Sequence, residues 1–201
     1  MFYTIKELVE KSAKYDSVAD LMVQTEMENT NRSKEFIRSQ MERNLEVMEQ
    51  SIQEGVAGVK SVTGLTGGDA KLMNEYIEKG DFLSGEPILE AVRNAVAVNE
   101  VNAKMGLICA TPTAGSAGVL AGVLVAVRDR LKMTRDQQVD FLFTAGAFGL
   151  VIANNSSIAG AEGGCQAEVG SAAAMASAAL VCAKGGSAQQ EIGRASCRER
   201  V

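Results

Sequence analysis

Apolar positions recur at helical spacing through most of this chain. Ile37, Met41, Leu45, Met48 and Ile52 follow one another at steps of four, four, three and four, so they share one face. That spacing predicts an amphipathic helix capped by Ser33 and ending near Gly55. "SVADLMVQTEMEN" predicts another, opened by Ser17 with Asp20 three residues on, a start resembling a capping box. "KLMNEYIEKG" reads as a short helix ending at Gly80, and "EPILEAVRNAVAVNEVNAKMG" as a long one with Pro87 in its first turn. "VLAGVLVAVRDRL" follows, then "RDQQVDFLFTAGAFGLVIA", opened by a capping box of Thr134 and Gln137. A last helix grows out of a glycine-rich stretch that begins at Asn154. No alternation of strand type runs beyond about four residues, and no fixed period repeats, so the predicted fold class is all-α.

Composition narrows the function. The 201 residues suffice for one sizeable core. A net charge of −5, with no basic run, argues against nucleic acid and an anionic membrane surface as partners. Aromatics are only 4%, while Ala, Gly and Ser abound, which suits close packing of helices. Charges appear within six residues of Met1, unlike a signal peptide, so a cytoplasmic protein is expected. Residues 105–127 and 141–161 lack charge, but "TPTAGS" and "NNSS" interrupt them, as in buried helices with polar loops rather than membrane spans.

The absence of histidine carries more weight: it removes Ser–His and Cys–His catalysis and the usual zinc sites from this chain. Cys109, Cys165, Cys182 and Cys197 show no CxxC or CxxH spacing, and each taken alone reads first as a small buried hydrophobe.

Three segments share one design: "TGLTGGDA" (63–70), "CATPTAGSAG" (109–118) and "NNSSIAGAEGGCQAE" (154–168). Each is rich in glycine and in hydroxyl or amide side chains, and each opens onto a predicted helix. The first N–H groups of a helix lack intrahelical acceptors and sit at its positive end, so such loops suit a carboxylate or phosphate. Ordinary caps and tight packing would produce the same composition. None of the three matches a phosphate-loop or dinucleotide signature. Cys165 lies in the third, just before a helix, where the dipole favours a thiolate. A nucleophile or redox thiol and a metal thiolate both remain open; the first lacks a histidine base, and the second lacks companions, since a cluster with an open iron needs about three cysteines.

The motifs "TGLTGGDA", "NEVNAKMGLICATPTAGSAG", "FLFTAGAFG" and "GGCQAEVGSAAAMASA", in that order, resemble the α chain of the iron–sulfur L-serine dehydratases of bacteria. The resemblance runs over residues 1–190. It implies an all-helical catalytic domain with a [4Fe–4S] cluster held by three cysteines, one iron left open. It implies conversion of L-serine to pyruvate and ammonia without pyridoxal phosphate, and a separate β chain in an oligomeric enzyme. Cys165 of "GGCQAE" matches the first cluster cysteine, and the family's other two lie further downstream, in "CDPV"-type and "PC"-type motifs that this sequence lacks.

The string "EIGRASCRERV" (191–201) has no apolar periodicity and reads as a vector-derived or otherwise non-native tail, with Cys197 in it. On that reading the native chain is interrupted near Gln190 and this chain alone is inactive. The resemblance assigns substrate binding to Thr66, Gly67 and Gly68, to Thr113, Gly115 and Ser116, and to Asn154, Asn155, Ser156 and Ser157. It leaves the catalytic base unassigned. The absent histidine is consistent with a base from the partner chain.

Two alternatives stand beside this reading. One is another β-eliminating lyase on the same scaffold, such as a cysteine desulfidase. The other is a non-catalytic helical scaffold subunit.

Overall fold

The structure, a computed structural model, describes residues 1–191, so Cys197 and nearly all of the string at 191–201 lie outside the described residues. Eight α-helices and no strand occur among them: α1 (Ile5–Ser12), α2 (Val18–Thr30), α3 (Lys34–Ala57), α4 (Asp69–Lys79), α5 (Glu86–Ala103), α6 (Ala117–Arg128), α7 (Arg135–Asn155) and α8 (Gly160–Ala183). The all-α expectation holds.

Three helix starts are where the side chains announce them. The Ser17 hydroxyl accepts from the Asp20 N–H at 3.0 Å and opens α2, and the Ser33 hydroxyl accepts from Phe36 at 3.2 Å to open α3. At α7 the capping box is complete, with Thr134 and Gln137 each bonding the other's backbone N–H. Two boundaries differ from expectation. The third helix runs past Gly55 to Ala57, because Gly55 is built into the helix against Ala97, and the chain leaves the helix at Gly58, with φ of 102°. Asn154 and Asn155 belong to the end of α7 rather than to a loop. α1 has no counterpart among the predicted elements; Thr4 caps it by accepting from the Glu7 N–H.

The chain forms two compact units. The first comprises Met1–Leu45 and the chain from Met133 on; the second is Glu46–Lys132. In the first, α7 packs on α8 and α2, burying Phe141, Phe143, Phe148, Met175 and a run of alanines. Arg38 of α3 ties to α7 through Asp140 at 2.7 Å and Asp136 at 3.2 Å. α8 is, among the described residues, the one helix long and apolar enough to cross a membrane. Its second half instead buries Ala172, Ala174, Met175, Ala176, Ala178 and Ala179 in this core.

In the second unit α5 is the spine, flanked by α4 and α6. Small residues bring α6 to backbone distance of α5: a Cβ on Gly118 would stand 2.3 Å from the Ala95 carbonyl oxygen. Overpacking a contact of this kind costs about 1–3 kcal/mol. Gly118→Ala is therefore expected to lower unfolding free energy by that amount in urea titration. Gly146→Ala, with nothing within 4 Å of the new methyl, is expected to raise it by up to about 1 kcal/mol. Equal stabilities for the two variants would contradict the packing described.

Candidate functional site

The first predicted loop folds back on itself in the second unit. Ser61 N–H donates to the Thr66 carbonyl at 2.8 Å, and Thr66 N–H donates to the Ser61 hydroxyl at 3.1 Å. Gly67 and Gly68 follow with φ of 122° and 100°, and a Cβ on Gly67 would lie 2.2 Å from the Val59 carbonyl oxygen. This turn is therefore restricted to glycine. Gly68 is the N-cap of α4 and offers no side chain. The missing cap comes from 31 residues away in sequence: Asp69 N–H donates to Glu100 Oε1 at 2.6 Å.

The second loop is held by the same helix. Asn102 of α5 donates through Nδ2 to the Ala114 carbonyl at 3.2 Å. Within the loop, the Thr111–Pro112 peptide is cis. The Ser116 hydroxyl, only 1% exposed, donates to the Thr111 carbonyl at 3.0 Å and lies 3.1 Å from the Thr113 hydroxyl. Ser116 thus braces the loop from within, while Gly115 is exposed and Thr113 half-buried. The last two turns of α5 contact both loops, through Glu100 and Asn102.

The third segment lies in the first unit. Asn155 donates to the carbonyls of Tyr3 at 2.7 Å and Val151 at 2.8 Å, pinning the N-terminal segment beside the end of α7. Ser156 ends the helix by donating to the Ile152 carbonyl, and the Ser157 hydroxyl donates to Glu162 at 2.5 Å. Asn155, Ser156 and Ser157 line a cavity of about 600 Å³ together with Thr4, Gln166 and Ser171. Asn154 is exposed and is not part of that lining.

Gly164 breaks α8 with φ of 73°, and Cys165 is the first residue after the break, exposed at the start of the long helical run. The expected junction of glycine turn and helix is present, displaced inside a segment that is helical on both sides. Among the described residues no three His, Cys, Asp or Glu side chains come together in a metal-holding group. One thiol does not make a cluster site, so these residues alone do not fit a [4Fe–4S] group. Cys109 and Cys182 are half-buried. Burial pushes the Cys109 thiol up; burial and then the neighbouring Glu191 carboxylate push that of Cys182 to about 11.

Glu100 was not among the residues singled out from sequence. It is 6% exposed, and its Oε2 is buried without a partner. The available signal was a carboxylate three residues after Ala97, within a stripe that also buries Val98 and Val101.

Comparison with known proteins gives a consistent result. Residues 14–197 match the family model described as "Serine dehydratase alpha chain". "Probable L-serine dehydratase, alpha chain" of Bacillus subtilis (strain 168) is 58% identical over 94% of this chain and 64% of its own length. "L-serine dehydratase, alpha chain" of Peptoniphilus asaccharolyticus is 36% identical over 98% of this chain and 68% of its own length. "L-serine dehydratase TdcG" of Escherichia coli (strain K12) is 31% identical over 94% of this chain and 43% of its own length. The chain thus spans less than two thirds of the Bacillus relative.

The environments of the three described cysteines differ enough to be read chemically. Brief iodoacetamide treatment of the metal-free chain near pH 8, followed by peptide mass mapping, is expected to alkylate Cys165 before Cys109 and Cys182. Modification of Cys182 first would contradict the burial described.

Proposed function

Since this chain belongs to the serine dehydratase alpha chain family, we propose that it acts as the α chain of an L-serine dehydratase, a lyase of the cytoplasm. The observation that carries the reading is the family match over residues 14–197, which takes in all three loops and Cys165. The reaction removes the α-proton of L-serine and expels its hydroxyl as water, leaving aminoacrylate. Aminoacrylate tautomerises to the imine, and a water molecule hydrolyses that to pyruvate and ammonia.

The chain's own contribution is recognition. Backbone N–H groups and hydroxyls at Thr66, Gly67 and Gly68 and at Thr113 and Gly115 bind the polar ends of serine, with Ser116 bracing the second loop. Asn155, Ser156 and Ser157 form a second polar surface in the cavity of the first unit, and Asn154 sits beside it. Among the described residues, Cys165 is the one ligand offered to a [4Fe–4S] cluster, which needs further ligands to be complete. Because the described residues do not fit the cluster by themselves, no step of the elimination is assigned to it. The name "alpha chain" borne by the relatives supports a β chain as partner in an oligomeric enzyme. A base from that partner is consistent with the lack of histidine in this sequence.

The test is turnover by a full-length α chain co-purified anaerobically with its β chain. L-serine is expected to yield pyruvate and ammonia in equal amounts, faster than L-cysteine yields sulfide. Cys165→Ser is expected to bring pyruvate formation to background with an unchanged melting temperature. Sulfide release from cysteine exceeding pyruvate release from serine would favour the desulfidase instead, and no turnover of either would leave a scaffold subunit.

A further inference from the structure

Among the described residues of the second unit, Glu100 is the only charged side chain that is buried. A carboxyl group in a protein interior is costly unless a counter-charge or a full set of hydrogen bonds compensates it. Glu100 has one bond, from Asp69 N–H, and an Oε2 with none. The positive end of α4 offsets only part of that cost. The cations on its own helix or just beyond are engaged elsewhere: Lys104 with Glu54, and Arg93 with Asn74 and Asn94. The start of α4 is therefore already capped, by the protein's own Glu100 carboxyl group. A ligand carrying only a carboxylate has nothing to offer Glu100 in exchange for the Asp69 N–H.

A zwitterion meets both halves of the pair. We propose that the Glu100–Asp69 contact is a placeholder for an α-amino acid. The ligand's ammonium takes Glu100, including the unpartnered Oε2, and its carboxylate takes the Asp69 N–H that Glu100 releases. The exchange breaks one hydrogen bond and offers three ammonium donors to a carboxylate with an empty acceptor. Taking that ligand to be L-serine rests on the dehydratase reading above; the ligand class rests on Glu100 and the start of α4. Glu100 is then a substrate-binding residue that selects for the amino group.

The full-length α chain with its β chain supplies the test. L-serine is compared with 3-hydroxypropionate, which keeps the hydroxyl and carboxylate but lacks the ammonium. The wild type is expected to bind serine about tenfold or more tightly than 3-hydroxypropionate. Glu100→Gln keeps the shape and an acceptor for Asp69. It is expected to raise KM for serine about tenfold or more while leaving the inhibition constant of 3-hydroxypropionate within about twofold.

Hydrogen exchange on the wild type needs no variant to fold: saturating L-serine, but not 3-hydroxypropionate, is expected to change protection of the Asp69 amide. Equal binding of the two ligands by the wild type, a preference for serine that survives in Glu100→Gln, or an Asp69 amide blind to serine would each overturn the proposal. Absence of serine turnover by the wild type would sink the dehydratase reading alone, because the binding and exchange measurements still decide the role of Glu100.

Discussion

The close approach of α6 to α5 is the constraint on which the second unit depends. It exists because Gly118 and Gly122 present no side chain where the Ala91 and Ala95 backbones pass. Gly55 of α3 meets the same helix at Ala97 in the same way. A helix hemmed in at backbone distance has little freedom to rotate or slide, since any shift drives a carbonyl into a neighbouring Cα. The register of α5 is thereby fixed, and with it the positions of Glu100 and Asn102. Those two side chains then place the loops that precede α4 and α6. Packing of small residues thus determines the polar geometry one turn further along α5.

That dependence also explains why the first loop carries its strain. Gly67 and Gly68 hold left-handed conformations so that Asp69 N–H faces Glu100 rather than water. A serine or aspartate at the N-cap would have satisfied the helix locally. The chain uses a distant carboxylate instead and buries it, which costs more than a local cap and leaves one oxygen without a partner. An arrangement of this kind makes little sense as stabilisation alone. It is intelligible where a charged ligand takes over the bond.

Much of this was legible in the sequence. The capping residues Ser17, Ser33 and Thr134 act locally, within one helical turn, so their roles could be read directly. The end of α3 could not, because Gly55 looks like a terminator until Ala97 is seen packed against it. The third glycine-rich stretch was read as one long loop, whereas Asn154 and Asn155 finish α7 and the residues before Cys165 are already helical. Asparagines at a helix end and glycines at a break have the same composition as a loop. Ser116 was legible as part of a polar loop, but not as its internal brace, since its bond to Thr111 depends on how the loop folds. Glu100 is only half legible: it falls in the buried stripe with Ala97, Val98 and Val101, unlike Glu90 or Glu86, but its partner lies 31 residues earlier. Contacts between distant segments are what the order of residues does not spell out.

The activity proposed for the complete enzyme is elimination of water from an α-amino acid. Proton NMR of L-serine incubated in D₂O with the full-length α chain and its β chain tests it most directly. Pyruvate and ammonium are expected in equal amounts, with one solvent deuterium in the early pyruvate methyl group, because aminoacrylate takes a deuteron at C3 from solvent. Serine left unchanged, or a pyruvate methyl formed without solvent deuterium, would contradict it.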